Sequence, residues 1–244
     1  MDLPKFNLHV HSSYSDGRNS INEIVKKAVE YNLNYIAITD HFTNSWKAKI
    51  IPSLNSRDKI HNYLEEITQQ QQYLRQKNID LKLFKGIEID ISSSESYILN
   101  LIDPFKFDII LFEYLENPEG IAFIKNIIKN WKSRSMTQSL FPILGLAHFD
   151  PSFFIYGSLT VLINFLKEYD IYFEFNSSYS QYYSVKNNDF FIKLRKYNVL
   201  VGIGCDSHDL KSLNNFGELI KVIEYYGLLD NLTTLINKLD FKMG

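Results

Sequence analysis

The sequence predicts an α/β fold of parallel β-α units, closed into a barrel or laid out as an open sheet. Three observations predict it. Short apolar runs rich in Ile, Leu, Val and Phe alternate with longer stretches at helical period. The 244 residues, 45% of them apolar, can bury one large core of barrel size. No linker, low-complexity tract or internal repeat divides the chain, so residues 1–244 are read as one domain.

The elements follow in order. Residues 6–11 read as the first strand. Side chains two apart on a strand share a face, so His9 and His11 project together while Phe6, Leu8 and Val10 face apolar packing. Ser20 and Glu23 open a helix over 20–32 in the manner of an N-cap and first turn. Strand 35–39, helix 56–77 and strand 82–89 come next, with Gln69 to Gln72 extending the helix face. In 90–106, an apolar patch from Tyr97 to Ile102 reads as an extra short strand. Strands 107–113, 143–147, 171–175 and 199–204 then alternate with helices 119–134, 158–168, 187–197 and 212–226. Gly227 reads as a C-cap, ahead of a short helix near 231–239.

What stands at the strand ends is more informative than the strands. The first ends at His9 and His11, with Asp16 in the loop beyond. The second runs into Asp40-His41, the third ends at Glu88, the fourth at Glu113, and the fifth at His148. The sixth ends in Glu174-Phe175-Asn176, and the seventh runs through Cys205 into Asp206-Ser207-His208. All seven strands deliver a His, Asp or Glu to one rim, where the loops of a β/α barrel build active sites. Five of the six histidines are there. Carboxylates brought so close repel one another unless cations lie between them. A polynuclear centre of zinc, manganese or iron, bound through nitrogen and oxygen, resolves that conflict.

Composition narrows the partners. Twenty-six basic residues against 28 acidic ones give a net charge of −2, and no dense Lys/Arg run advertises nucleic-acid binding. The lone Cys205 rules out an internal disulfide and reads as a small packing residue. Met1-Asp2-Leu3-Pro4 lacks the pattern of a signal peptide, and no apolar run approaches the roughly 18 residues of a membrane helix. The expectation is a soluble, cytoplasmic protein with no membrane partner.

The set His9-x-His11, Asp16, Thr39-Asp40-His41, Gly86-Ile87-Glu88, Ala147-His148 and Asp206-Ser207-His208 resembles the PHP (polymerase and histidinol phosphatase) superfamily. The resemblance runs along nearly the whole chain. It implies a distorted, TIM-like (β/α)7 barrel and a metal-dependent phosphoesterase carrying two or three divalent ions. Carried over residue by residue, it implies one ion on His9, His11, Glu88 and Asp206. Glu88 then bridges to a second ion on His148, and Asp16, His41 and His208 hold a third. Asp206, His11 and Glu88 become the residues most directly tied to catalysis, with a metal-bridging hydroxide attacking phosphorus. Glu174-x-Asn176 resembles a feature of the histidinol-phosphatase-like branch and is placed in the substrate pocket or just behind the ligands. The chain departs from the family after its fourth strand, where no histidine stands. Glu113 lies near that position, either as an oxygen ligand or as a carboxylate hydrogen-bonded to backbone or substrate.

The implied substrate is a small phosphate monoester, such as histidinol phosphate or a nucleotide. Two alternatives stay open: an oligonucleotide-trimming nuclease, and a barrel that binds metal without catalysing. Lys47, Lys49 and Lys211 are the nearest cations for gripping phosphate, but each reads as a solvated surface lysine, as His61 reads as a solvated histidine. Tyr14, Phe42, Trp46, Tyr114, Phe149 and Tyr179 stand near the rim as stacking candidates, although core packing explains most of them.

Overall fold

The computed structural model of the protein describes residues 3–134, 141–154, 157–183 and 185–243. The first half of the chain forms β1 (Phe6–Val10), α1 (Ile21–Glu30), β2 (Tyr35–Ile38), β3 (His41–Phe42), α2 (Arg57–Gln76), β4 (Lys82–Asp90) and α3 (Glu95–Leu101). The second half continues with β5 (Ile109–Glu113), α4 (Pro118–Ser133), β6 (Ile143–Leu146), α5 (Leu159–Tyr169) and β7 (Ile171–Asn176). It ends with α6 (Asn188–Lys196), β8 (Val201–Gly204), α7 (Gly217–Tyr225) and α8 (Leu229–Met243).

Seven strands pair in parallel in the order β1-β2-β4-β5-β6-β7-β8. The two-residue β3 resumes β2's place against β4: Ile38 faces Lys85, and His41 faces Glu88, the same offset along the chain. The sheet then nearly closes on itself. His11 N–H donates to Ser207 O at 2.9 Å and Ser207 N–H to His9 O at 3.1 Å, joining the end of β1 to the residues after β8. The result is the expected α/β, TIM-like barrel of seven parallel strands.

Two glycines let the interior fill. A Cβ on Gly202 would meet the Tyr172 ring at 2.8 Å, and one on Gly204 would overlap the Glu174 carboxylate. Tyr172 and Glu174, two apart on β7, therefore lie across β8 with no side chain between. The barrel's floor is closed by α8. Its Leu232, Leu235 and Leu239 are fully buried, while Asp240 accepts from Tyr35 Oη and Lys82, the first residues of β2 and β4.

Two expectations are corrected. The patch from Tyr97 to Ile102 is not a strand but falls mostly within helix α3. Its apolar residues Ile98, Leu101 and Ile102 recur at helical spacing, and Ser94 stands at the N-cap position. The stretch 212–226 is not one helix: a single 3₁₀ turn, Ser212–Asn214, precedes α7. Gly227, at φ 67°, does terminate α7, where its N–H and that of Leu228 recover carbonyls of the last turn. The C-terminal helix is longer than its apolar pattern suggested because it spans the whole floor.

Candidate metal centre

β1 is not a regular strand. Asn7 pairs with Ile36 but Val10 pairs with Ile38, so β1 carries one extra residue between them. A bulge of this kind re-aims the side chains next to it. Asn7 supports it: its Oδ1 accepts from His9 N–H at 3.1 Å and from Cys205 N–H at 3.0 Å. The loop that follows is pinned by Asp40. That buried carboxylate accepts from the backbone and hydroxyls of Ser12 and Ser15 at 2.5–3.0 Å, which sets Asp16 beside the histidines. Asn7 did not stand out in the sequence, and Asp40, singled out there at the end of the second strand, was given no role of its own.

At the other strand ends, Tyr114 (φ 65°), His148 (φ 28°) and Asp206 (φ 47°) adopt left-handed backbone conformations. Such conformations are unfavourable for residues with a Cβ, and they cluster where strands must turn sharply towards a site. They bring the ends of β5, β6 and β8 inward.

Glu88 is the hub. It is fully buried, and His9 Nε2, His148 Nε2 and His41 Nδ1 lie 3.2, 3.0 and 2.7 Å from its oxygens. Its Oε2 nevertheless counts among the buried polar atoms with no well-directed hydrogen bond. Around it four overlapping donor groups each bring their atoms within 4.8 Å of one another. These are His9, His11 and Asp206; His9, Glu88 and His148; His11, Asp16, His41 and His208; and His41, Glu88 and Glu113. Every residue expected to bind metal converges here, whereas Asp40, which pins the Ser12–Ser15 loop, and Glu174 and Asn176 stand outside the donor groups.

Glu174 and Asn176 sit behind the cluster. Glu174 is fully buried, accepts from His9 Nδ1 at 2.9 Å and from His148 N–H at 2.8 Å, and is held by Asn176 Nδ2 at 3.0 Å. A carboxylate only accepts, so His9 carries a hydrogen on Nδ1, and Nε2 is the ring atom turned towards the cluster. His11 Nε2 approaches that same point, 3.0 Å from His9 Nε2 and 3.0 Å from Asp206 Oδ1. Lone pairs and carboxylate oxygens aimed at one another, with an unbonded Glu88 oxygen among them, fit divalent cations by donor type and arrangement.

The electrostatics agree. Burial lowers the pKa of His9, but Glu174, Glu88 and Asp206 override it and raise it well above the usual value. His41 is raised to about 10, against burial, chiefly by Glu88 and Glu113. Burial and His41 together push His11 down to about 3, leaving it neutral and able to donate a lone pair. Burial opposes ionisation of Asp206, yet His9 and His11 hold it well below the carboxylate range. The cluster thus demands positive charge.

Glu113 is almost fully buried, and both its oxygens accept from Lys47 Nζ at 2.8 Å. Lys47 is therefore no solvated surface lysine: its side chain is 12% exposed. The loop carrying it is tethered to the buried Asp90, which accepts from Thr43 Oγ1 at 2.7 Å and from Ser45 Oγ. His61 and Lys49 are exposed, as expected. Phe42 is buried in the core, so it is not a free stacking surface.

The cluster opens beside His148 into a cleft of about 210 Å³. Tyr114, Phe149, Phe153, Tyr179 and Tyr182 form its aromatic walls, Glu116 and Asp150 its acidic ones. Tyr179 packs on the His148 ring, centroids 4.8 Å apart. Among the described residues, no helix is long and apolar enough to cross a membrane.

A PHP domain family model matches residues 7–242. Histidinol phosphate phosphatase from Lactococcus lactis subsp. lactis, solved with zinc, L-histidinol and phosphate, has a similar structure. It gives a TM-score of 0.63 at 17% identity, covering 93% of this chain and 95% of that one. A structure reported for the metal-dependent tyrosine phosphatases YwqE from Bacillus subtilis and CpsB from Streptococcus pneumoniae gives 0.63 at 18% identity, covering 98% and 94%. In sequence, the DNA polymerase/3'-5' exonuclease PolX of Bacillus subtilis is 33% identical over 87 residues, 36% of this chain and 14% of that protein.

Proposed function

The chain belongs to the PHP domain family, and from that premise we propose that it is a metal-dependent phosphoesterase acting on a small phosphate monoester. The observation that carries the proposal is the convergence of five histidines and three further carboxylates around buried Glu88, one of whose oxygens lacks a directed hydrogen bond. Two or three divalent ions, of zinc, manganese or iron, are the expected cofactors. His9, His11, Asp206 and Glu88 would hold one, Glu88 and His148 another, and Asp16, His41 and His208 a third. Divalent ions supply here a lowered pKa of bound water, from about 15.7 towards about 7, and neutralisation of phosphate charge.

The remaining tasks fall to the chain. Glu174 fixes the ring of His9 and, through the His148 N–H, the turn that presents His148. Ionised Asp206, or a nearby carboxylate, would help to orient the attacking water. Tyr179, packed against the His148 ring, walls off bulk water on that side. The adjoining cleft suits a small leaving group with a flat face. Among the described residues, none that lines it is Lys or Arg, so the cleft offers a long polyanion no cationic grip.

Hydrolysis of an aryl phosphate monoester and of the corresponding diester, before and after chelation, tests the assignment. Monoester turnover should vanish with chelator and return with Mn²⁺ or Zn²⁺. Preference for the diester would favour the nuclease alternative, and metal binding without turnover of either ester would favour the non-catalytic one.

A further inference from the structure

We propose that Lys47 is a tethered cation that fills one of the rim's donor groups, that of His41, Glu88 and Glu113, in place of a divalent ion. The inference rests on the metal-binding reading above and goes beyond it.

Among the described residues, of the four overlapping donor groups only this one has an ammonium in contact with its members. Lys47 Nζ lies 2.8 Å from each Glu113 oxygen and 3.2 Å from His41 Nδ1. It thus takes up both oxygens of one of the three residues that would otherwise hold an ion there and stands beside a second. Glu113 is almost wholly buried, and a carboxylate in that position needs a counter-charge. Lys47 supplies it.

Its placement is built, not incidental. Lys47 lies on a 3₁₀ turn, Trp46–Lys49, whose first N–H groups are capped by Ser45. Ser45 and Thr43 are both anchored on buried Asp90 at the end of β4. The ammonium also stands over the Tyr114 ring, 5.0 Å from its centroid, and Trp46 packs beside that ring. Four constraints therefore hold one lysine inward, while Lys49, two residues on, is exposed. A fixed ammonium carries one positive charge where a divalent ion carries two. It also leaves no open coordination position, so this edge of the site becomes structural.

The test compares the wild-type protein with Lys47→Met and Lys47→Arg. Each is stripped with chelator, saturated with Mn²⁺ and desalted, and its metal is counted by elemental analysis. Lys47→Met should bind one equivalent more than wild type, and Lys47→Arg, which keeps the charge, the same number as wild type. Melting provides a second readout. Metal-free Lys47→Met should melt below wild type because Glu113 is left buried and unpaired, and Mn²⁺ should raise its Tm more than it raises that of wild type. Equal, non-zero metal counts in wild type and Lys47→Met would overturn the tethered-cation inference alone. Wild type that binds no metal would overturn the phosphoesterase reading and this inference with it.

Discussion

The two ends of the barrel treat charge in opposite ways. At the floor, charges pair off singly around an apolar plug: Asp240 takes Lys82 and Tyr35, while Leu232, Leu235 and Leu239 of α8 fill the space between. At the rim, carboxylates and histidines crowd together, with Glu88 shared by three imidazoles and an oxygen of it left without a directed bond. The floor is what stability alone produces. The rim costs stability in the bare chain, because buried like charges and strained residues such as His148 and Asp206 are held there by the surrounding structure. The difference identifies the rim as the working end, and substitutions at the two ends should separate activity from stability.

The largest effect is expected at the rim. Asp206→Ala should lower monoester turnover by on the order of a thousand-fold while leaving a cooperatively folded protein, measured by steady-state kinetics beside thermal melting. The mirror-image change is Leu235→Ala in the floor. It should cost about 2–5 kcal/mol in urea unfolding, with kcat per folded molecule unchanged. A loss of activity in the folded fraction would mean that the two ends are coupled.

Glu174→Gln sharpens the comparison, because it removes no residue expected to bind metal directly. It should weaken Mn²⁺ binding about 10–100-fold in calorimetric titration, since the orienting partner of His9 loses its charge. Unaltered affinity would assign Glu174 to packing alone. The smallest effect belongs to Lys82→Met. This pair is partly exposed, and its loss should cost about 0.2–1 kcal/mol with no change in metal binding.

Much of the rim was legible in the sequence because its signals are local. A strand's period of two put His9 beside His11, and each β-α repeat placed a polar residue just after an apolar run. What stayed hidden depends on contacts distant along the chain. Lys47 meets Glu113 across 66 residues, and Tyr35 meets Asp240 across 205. Neither the inward turn of Lys47 nor the floor-spanning reach of α8 leaves a mark in local spacing. The bulge in β1 was hidden for another reason: regular alternation already places His9 and His11 together, so nothing in the pattern demands the extra residue that Asn7 stabilises. Helix α3 was misread as a strand because its seven residues carry barely two turns of periodicity.

The central claim is that the rim gathers its charges around Glu88 in order to hold divalent ions that drive hydrolysis. It is tested most directly by counting the metal bound to wild type and to Glu88→Gln, with aryl phosphate hydrolysis measured on the same samples. Wild type should hold at least two equivalents and turn over the monoester, while Glu88→Gln should lose at least one equivalent together with the activity. The same metal content and the same turnover in both proteins would contradict the account.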